Sequence, residues 1–117
     1  MKIDLSYLRE MAGGNKELVL EMITIFKHQV VEFSEGMDQL LRNKEYDSLG
    51  KLAHKAKSSV AIMGLEELSK RLKDLELSAR EGKKVDSYPR IVAAFKQETA
   101  EAVRELDQVI KNLELYF

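Results

Sequence analysis

The chain has no cysteine or tryptophan, one proline, and no apolar run near the roughly 20 residues needed to cross a bilayer. The lack of cysteine excludes disulfides, thiolate nucleophiles and zinc–thiolate centres, and it fits a reducing compartment. The first residues also lack the apolar core of a signal peptide, so we expect a cytoplasmic protein without membrane insertion. With 19 Lys and Arg against 20 Asp and Glu, the formal net charge of -1 gives no electrostatic case for nucleic-acid binding.

Hydrophobic and charged residues are both abundant, and their spacing is helical. The 117 residues are 44% hydrophobic and 33% charged, which suits one compact domain with a single core. Strand signals are absent. We therefore predict an all-α fold: an antiparallel up-and-down four-helix bundle with a short additional N-terminal helix that caps one end.

Glycine, asparagine and proline divide the chain into five predicted helices. The first is a lead helix that stops at Gly13-Gly14, and the second is capped by Asn15 and runs to about Arg42. The third runs from about Glu45 to Met63 and the fourth from Leu65 to about Gly82. The last begins at Asp86 or Ser87, has Pro89 in its first turn and runs almost to the C-terminus. Gly64 is expected to close the third of them in the left-handed conformation.

The third predicted helix contains His54, one of the two histidines of the chain. It lies in a patch of basic and small residues, Ala53-His54-Lys55-Ala56-Lys57-Ser58-Ser59. At about 100° per residue, the apolar residues of this helix gather on one side and His54 points away from them. The outward face around the histidine is small or cationic, and it comprises Gly50, Lys57, Ser58 and Ala61, with Lys51 to one side. Glycine costs about 1 kcal/mol relative to alanine inside a helix, so we interpret Gly50 as leaving the imidazole accessible to a docking surface.

The chemistry of this patch suits a phosphoryl group. A neutral imidazole has one ring nitrogen free to attack phosphorus. Lys57 remains cationic, and its ammonium, one turn along, can form charge-assisted hydrogen bonds with phosphoryl oxygens before and after transfer. Ser58 or Ser59 could add a neutral hydrogen bond, although Ser59 falls on the inward face.

The second histidine, His28, also points away from the apolar stripe of its helix, so exposure alone does not distinguish the two. Glu21, Glu32 and Glu35 lie around His28, and their negative charges would repel a phosphate. We therefore interpret His28 as an ordinary surface residue and His54 as the functional one.

The stretch around His54 resembles a histidine-containing phosphotransfer (Hpt) domain of bacterial multistep phosphorelays. The residues in the family's register around the histidine are Glu45-Tyr46, Leu49, Ala53-His54, Lys57, Ser59 and Gly64. The resemblance extends over nearly the whole chain, through the downstream Leu68, Leu72 and Leu75-Glu76 and the upstream segment from Leu5 to Asn15, Leu18 and Phe26. The chain departs from the family at Ala56 and Ser58, where leucine and glycine are common, and the role of Ser58 stays open.

The resemblance implies a single Hpt-like helical domain over residues 1–117 that carries phosphate and is not itself an enzyme. His54 would accept a phosphoryl group from the phosphoaspartate of one receiver domain and pass it to an aspartate of another, with Lys57 stabilising the phosphate. The docking face would comprise Gly50, Lys51, Lys55, Ser58 and Ala61, and its lysines would steer an acidic receiver rim.

The partners implied by the resemblance are receiver domains of response regulators or of hybrid sensor histidine kinases. The receiver would bring the aspartate and a magnesium ion, whereas this domain would need no cofactor or metal of its own. Nothing in the sequence resembles an ATP site, so we do not expect autophosphorylation. We expect a monomer.

Two other functions stay open at the level of sequence. A helical adaptor would bind a partner through the exposed face and never carry phosphate, and an enzyme could use His54 as a general base. On the fourth predicted helix, Lys70 or Arg71 could approach His54, and the sequence does not choose between them. Metal and nucleotide sites fail on spacing: neither histidine is part of the Glu-x-x-His pair of di-iron bundles, and Gly13-Gly14 lacks the ending of a phosphate-binding loop.

Overall fold

A computed structural model describes residues 2–117, and its regular structure over that range is helical, which confirms the predicted all-α fold. The helices are α1 (Ser6–Ala12), α2 (Lys16–Arg42), α3 (Tyr46–Ile62), α4 (Glu66–Glu81), α5 (Tyr88–Lys111) and α6 (Leu113–Tyr116), with a 3₁₀ turn at Val85–Ser87. No helix within residues 2–117 has the length and apolar character needed to cross a membrane.

The start of α2 shows why the chain changes direction after α1. Gly13 and Gly14 have left-handed backbones, with φ of 56° and 84°, which glycine adopts at low cost. The Asn15 side chain then accepts a hydrogen bond from the backbone N–H of Leu18 at 3.1 Å and caps α2. The predicted break and the predicted N-cap are both confirmed.

Gly64 closes α3 and allows the N-terminal segment to approach the turn between α3 and α4. Its φ of 76° confirms the predicted left-handed conformation. A Cβ at this position would lie 2.6 Å from the backbone nitrogen and oxygen of Asp4, so a side chain does not fit. The backbone N–H of Asp4 donates to the carbonyl oxygen of Met63 at 3.0 Å. The segment before α1 therefore caps this end of the bundle, next to the lead helix to which the prediction gave that role.

The four long helices α2–α5 form the bundle. Each is joined to the next by a short connection, so helices that are neighbours in sequence run antiparallel. Helix α2 packs against α3 and α5, and α4 packs against the same two helices, which closes a ring of four around one core. The result is an elongated molecule with principal extents of 46 × 20 × 20 Å.

The contact between α3 and α4 is the most extensive of any helix pair in residues 2–117. Ala53 and Ala56 on α3 are small and fully buried, which permits close packing of this helix on its neighbours. The leucines of the predicted α4 seam are also buried, and each contributes about 2 kcal/mol of hydrophobic stabilisation; they are Leu68, Leu72 and Leu75. This pair of helices carries the residues around His54.

Helix α5 begins at Tyr88, one residue after the later of the two predicted starts, and Pro89 lies in its first turn as expected. Ser87 occupies the N-cap position, but its side chain does not cap the helix. Its hydroxyl donates instead to the carbonyl oxygen of Lys84 at 2.7 Å, because Lys84 has a left-handed backbone that begins a 3₁₀ turn. The last predicted helix also ends earlier than expected, at Lys111, and α6 follows after Asn112.

Candidate functional site

His54 lies in the middle of α3, on the side away from the core. Its side chain is 61% exposed, whereas Leu49, Ala53 and Ala56 on the opposite side of the helix are fully buried. The predicted outward orientation of the imidazole is therefore confirmed. The ring lies against α4, where its nearest polar neighbour is Glu76.

The carboxylate of Glu76 fixes the orientation of the imidazole. Its Oε2 atom lies 2.8 Å from Nδ1 of His54. Because an ionised carboxylate can only accept a hydrogen bond, we assign the ring proton to Nδ1. Nε2 then keeps its lone pair and is the nitrogen available to an electrophile. Glu76 itself is only 7% exposed, so this hydrogen bond is held by the packing of α4.

Two cations share the same carboxylate. Lys57 Nζ donates to Oε1 of Glu76 at 3.0 Å, and Arg80 Nη2 donates to Oε2 at 3.2 Å. The hydrogen bond from Lys57 is the main cause that lowers the pKa of Glu76 below its usual value, against the opposing effect of burial; His54 adds a smaller lowering. Glu76 is therefore ionised at neutral pH and its charge is compensated within the site.

Lys57 is close to His54, as predicted, but in the resting site its ammonium contacts Glu76. Its side chain is 26% exposed, so it is partly enclosed between α3 and α4. The two other cations that could have approached from α4 do not. Lys70 pairs with Glu67 at 3.5 Å, and Arg71 pairs with Glu98 on α5.

Gly50 requires a correction. The helical wheel places it on the outward face, as a residue that leaves the imidazole accessible, but the structure buries it against α4. A Cβ on Gly50 would lie 3.0 Å from the Cβ of Ala79 and 3.3 Å from the carbonyl oxygen of Glu76. The physical reason for glycine here is the close approach of two helices, an effect that a wheel drawn for one helix does not contain.

The other residues predicted to form a docking face are exposed along α3; they are Lys51, Lys55, Ser58 and Ala61. Lys51 forms an exposed ion pair with Asp47 at 3.2 Å, which leaves its ammonium partly neutralised. Lys55 lies beside His54 and borders the same two grooves as the imidazole.

His54 forms a ridge between two grooves of different character. The groove between α3 and α4 has a volume of about 370 Å³ and is charged, with Asp47, Lys51 and Arg80 along it. The groove between α2 and α3 is mixed. Its apolar side chains are Met22, Ile25, Phe33, Leu52 and Ile62, and its polar ones include Gln29, Glu32, Lys55 and Ser58. A partner placed over the imidazole would meet charged side chains on the α4 side and a mixture of apolar and polar side chains on the α2 side.

The geometry of His54 differs from that of His28. Of the two histidines, only His54 lies within ion-pair distance of a carboxylate in residues 2–117. His28 is exposed on α2 and borders a shallow groove formed with α5. Among the described residues, no three His, Asp or Glu side chains converge as a metal-binding group would require.

Comparison with protein-family models gives a match to the Hpt domain over residues 21–114, which is most of the chain. The chain belongs to the Hpt domain family. Hpt domains are phosphocarriers in histidine–aspartate phosphorelays, and they interact with receiver domains. The matched range includes His54, Lys57 and Glu76 of this Hpt domain, and it leaves out α1. Comparisons with curated proteins and with solved structures gave no match.

Sequence reasoning did not include Glu76 or Arg80 among the site residues of this Hpt domain. A signal for Glu76 exists, because it directly follows Leu75 on the buried side of α4, and a glutamate at such a position needs a partner. Arg80 then follows one turn later on the same helix. Identifying the partner of Glu76 as His54 requires the register between α3 and α4, which only the folded structure provides.

Proposed function

We propose that this chain is a phosphorelay intermediate in which Nε2 of His54 carries the phosphoryl group. The observation that supports the proposal is the hydrogen bond between Nδ1 of His54 and the buried carboxylate of Glu76, at 2.8 Å. It directs the free lone pair of the ring to solvent, where the phosphoaspartate of a receiver domain would arrive.

Phosphoryl transfer to Nε2 of His54 needs no movement of the ring proton. The Nε2 lone pair attacks phosphorus, the bond between phosphorus and the acyl oxygen of the phosphoaspartate breaks, and its electron pair stays on the aspartate carboxylate. The ring becomes cationic, with its proton still on Nδ1, and the negative charge of Glu76 stabilises this cation. In the reverse sense, an aspartate of a second receiver attacks phosphorus and the electron pair returns to Nε2.

Lys57 is proposed to stabilise the phosphoryl oxygens. Its ammonium lies 3.0 Å from Oε1 of Glu76 and one helical turn from His54, so a rotation of its flexible side chain would bring it to the new charge. An ammonium that contacts both a carboxylate and a phosphoryl oxygen offsets the repulsion between them. We propose that magnesium comes with the receiver and that this domain supplies no cofactor or ATP site.

The receiver is proposed to dock over His54 from outside the bundle. Lys51, Lys55, Ser58 and Ala61 would lie under it, and the apolar side chains in the groove between α2 and α3 would add buried area. Gly50 would contribute through the packing of α3 on α4. We propose that the relay operates in the cytoplasm and that the domain acts as a monomer.

The test is phosphotransfer from a receiver domain loaded with radiolabelled phosphate. The expected result is a label on this chain that is lost in acid and kept in base, as a phosphoramidate on histidine should be. His54→Gln should abolish the label, and the matched variant His28→Gln should retain it. A label that survives in His54→Gln would contradict the proposal. Binding of the receiver without transfer would instead favour a helical adaptor.

A further inference from the structure

We propose that Arg80 is a positioning residue that weakens the hold of Glu76 on the Nδ1 proton of His54 and thereby prolongs the life of the phosphorylated ring. This inference depends on the proposed role of His54 as the phosphoacceptor. Arg80 does not touch the reacting nitrogen, and its effect passes through the carboxylate.

Two groups contact the same oxygen atom of Glu76, Oε2. Oε2 of Glu76 is 2.8 Å from Nδ1 of His54 and 3.2 Å from Nη2 of Arg80. The imidazole and the guanidinium therefore share one acceptor. Arg80 follows Glu76 by one helical turn and its side chain is 66% exposed, so it can be removed without opening the core. It also borders the charged groove that contains His54.

The other charged groups around His54 in residues 2–117 do not share Oε2 of Glu76 with the imidazole. Lys57 donates to Oε1, the oxygen that the imidazole does not use. Lys51 is paired with Asp47 on α3 itself. Lys55 borders the grooves on both sides of the ring, and Glu32 on α2 borders the groove away from α4. Within residues 2–117, Arg80 is thus the cation that shares an oxygen with the imidazole.

The proton on Nδ1 decides how readily the phosphorylated ring reacts. With that proton present, the bond between phosphorus and Nε2 breaks with the electron pair returning to Nε2, and a neutral imidazole leaves. In hydrolysis, water attacks phosphorus, inorganic phosphate forms and the water proton goes to solvent. Without the Nδ1 proton, the leaving group would be an imidazolate anion, so the bond persists. The negative charge of Glu76 favours the cationic, Nδ1-protonated form of the phosphorylated ring, and a guanidinium on the same oxygen reduces that effect.

Removal of Arg80 should therefore make the phosphorylated ring more labile. The test loads the protein chemically with potassium phosphoramidate, in a His28→Gln background so that His54 alone is labelled. The rate of dephosphorylation is followed by phosphorus NMR from pH 5 to 9. For Arg80→Met we expect the midpoint of the rate profile to rise by about half a pH unit and the rate at pH 8 to rise about threefold, with no change at pH 5.

Two variants serve as controls. Arg80→Lys keeps a cation beside Glu76 and should restore most of the wild-type profile. Arg71→Met removes an exposed arginine of the same helix that pairs with Glu98, and it should leave the profile unchanged. A general loss of helix stability would affect both arginine-to-methionine variants alike.

The outcomes separate this inference from the proposed function. An unchanged midpoint in Arg80→Met, or slower dephosphorylation, would overturn the inference, the latter by showing that Arg80 promotes loss of the phosphoryl group. Failure of receiver domains to exchange phosphate with the wild type would overturn the proposed function and leave the chemical profile measurable. Failure of phosphoramidate to label His54 would contradict the free Nε2 on which both depend.

Discussion

The backbone of α3 at Gly50 touches α4 at Ala79, where a Cβ on the glycine would lie 3.0 Å from the alanine Cβ. The same glycine would place a Cβ 3.3 Å from the carbonyl oxygen of Glu76, the residue whose side chain holds His54. The spacing of the two helices and the orientation of the imidazole are therefore set at one point. A glycine that looks like a surface feature in the sequence is part of how the site is built.

Replacement of Gly50 should cost stability, in contrast to the other glycine inside a long helix, Gly36. Alanine gains about 1 kcal/mol of helix propensity at either position. At Gly36 the obstacle is the flexible tip of Leu52, so Gly36→Ala should be neutral or stabilising. At Gly50 the obstacles are the Cβ of Ala79 and the carbonyl oxygen of Glu76, which cannot rotate away. Overpacking should cost about 2 kcal/mol, so Gly50→Ala should be less stable than the wild type. Urea unfolding measures both variants, and slower phosphorylation of Gly50→Ala alone would show that the site has shifted. Equal stabilities would contradict the close approach.

The two glycines that end helices α3 and α4 offer a second matched pair. Gly64 and Gly82 both have left-handed backbones, with φ of 76° and 69°, so alanine should cost about 1 kcal/mol at each. Only at Gly64 would the added Cβ collide with the backbone of Asp4. We expect Gly64→Ala to lose about 2 kcal/mol more than Gly82→Ala in chemical unfolding, because the capping segment must move. A smaller loss at Gly64 than at Gly82 would show that this segment is not packed as described.

Helix order, turn positions and the outward direction of His54 could be predicted from sequence, because they depend on local rules. Asn15 caps α2 through a residue three positions away, and Gly64 closes α3 through its own backbone. Periodicity along a single helix is enough to place His54 opposite Ala56. Such inferences need no knowledge of which helix lies next to which.

The partners across the helix interface could not be predicted in the same way. The bond from His54 to Glu76 joins residues 22 positions apart, and a shift of one helix against the other would break it. Lys57 was placed correctly near His54, yet its contact with Glu76 depends on the same register. Arg71 was one of the two cations on α4 that the sequence left as alternatives near His54, but the rotation of that helix directs it to Glu98 on α5.

Tyr88 should stabilise the end of the bundle where α3 and α5 begin, opposite the end closed by Gly64. It is fully buried, its hydroxyl donates to the carbonyl oxygen of Lys83, and its ring meets that of Tyr46 edge to face at 5.3 Å. Tyr88→Phe leaves the packing intact but removes the hydrogen bond, so we expect a loss of about 1 kcal/mol in urea unfolding. Tyr7→Phe, at an exposed tyrosine, should change stability very little. A loss as large in Tyr7→Phe would contradict this assignment.

Burial is the main cause that raises the pKa of Tyr88, with a smaller effect from Tyr46. An acid whose pKa is higher in the folded state stabilises that state fully below its unfolded pKa, near 10, and less as pH rises through the folded value. Wild-type stability should therefore fall above pH 10 more steeply than that of Tyr88→Phe. Parallel curves for the two proteins would show that the hydroxyl is accessible.

Glu76 should give the domain an acid-sensitive component of its stability. Its pKa is lowered, chiefly by the hydrogen bond from Lys57. A carboxyl whose pKa is lower in the folded state stabilises that state above its unfolded pKa, near 4.5, and the contribution is lost as pH falls through the folded value. The difference in unfolding free energy between wild type and Glu76→Gln should therefore be largest at neutral pH and shrink below pH 4.5.

Denaturant unfolding of both proteins from pH 7 to pH 3 measures this difference directly. Glu67→Gln is the matched control, because it removes an exposed glutamate of α4 that pairs with Lys70 at 3.5 Å. It should change stability by less than about 1 kcal/mol. If the difference for Glu76→Gln stayed constant down to pH 3, the carboxylate would not be held in its charged form by Lys57, and the assignment of the Nδ1 proton in His54 would lose its basis. If the difference grew on acidification, Glu76 would be protonated in the native site. The carboxyl group of Glu76 would then have to donate the hydrogen bond to Nδ1 of His54.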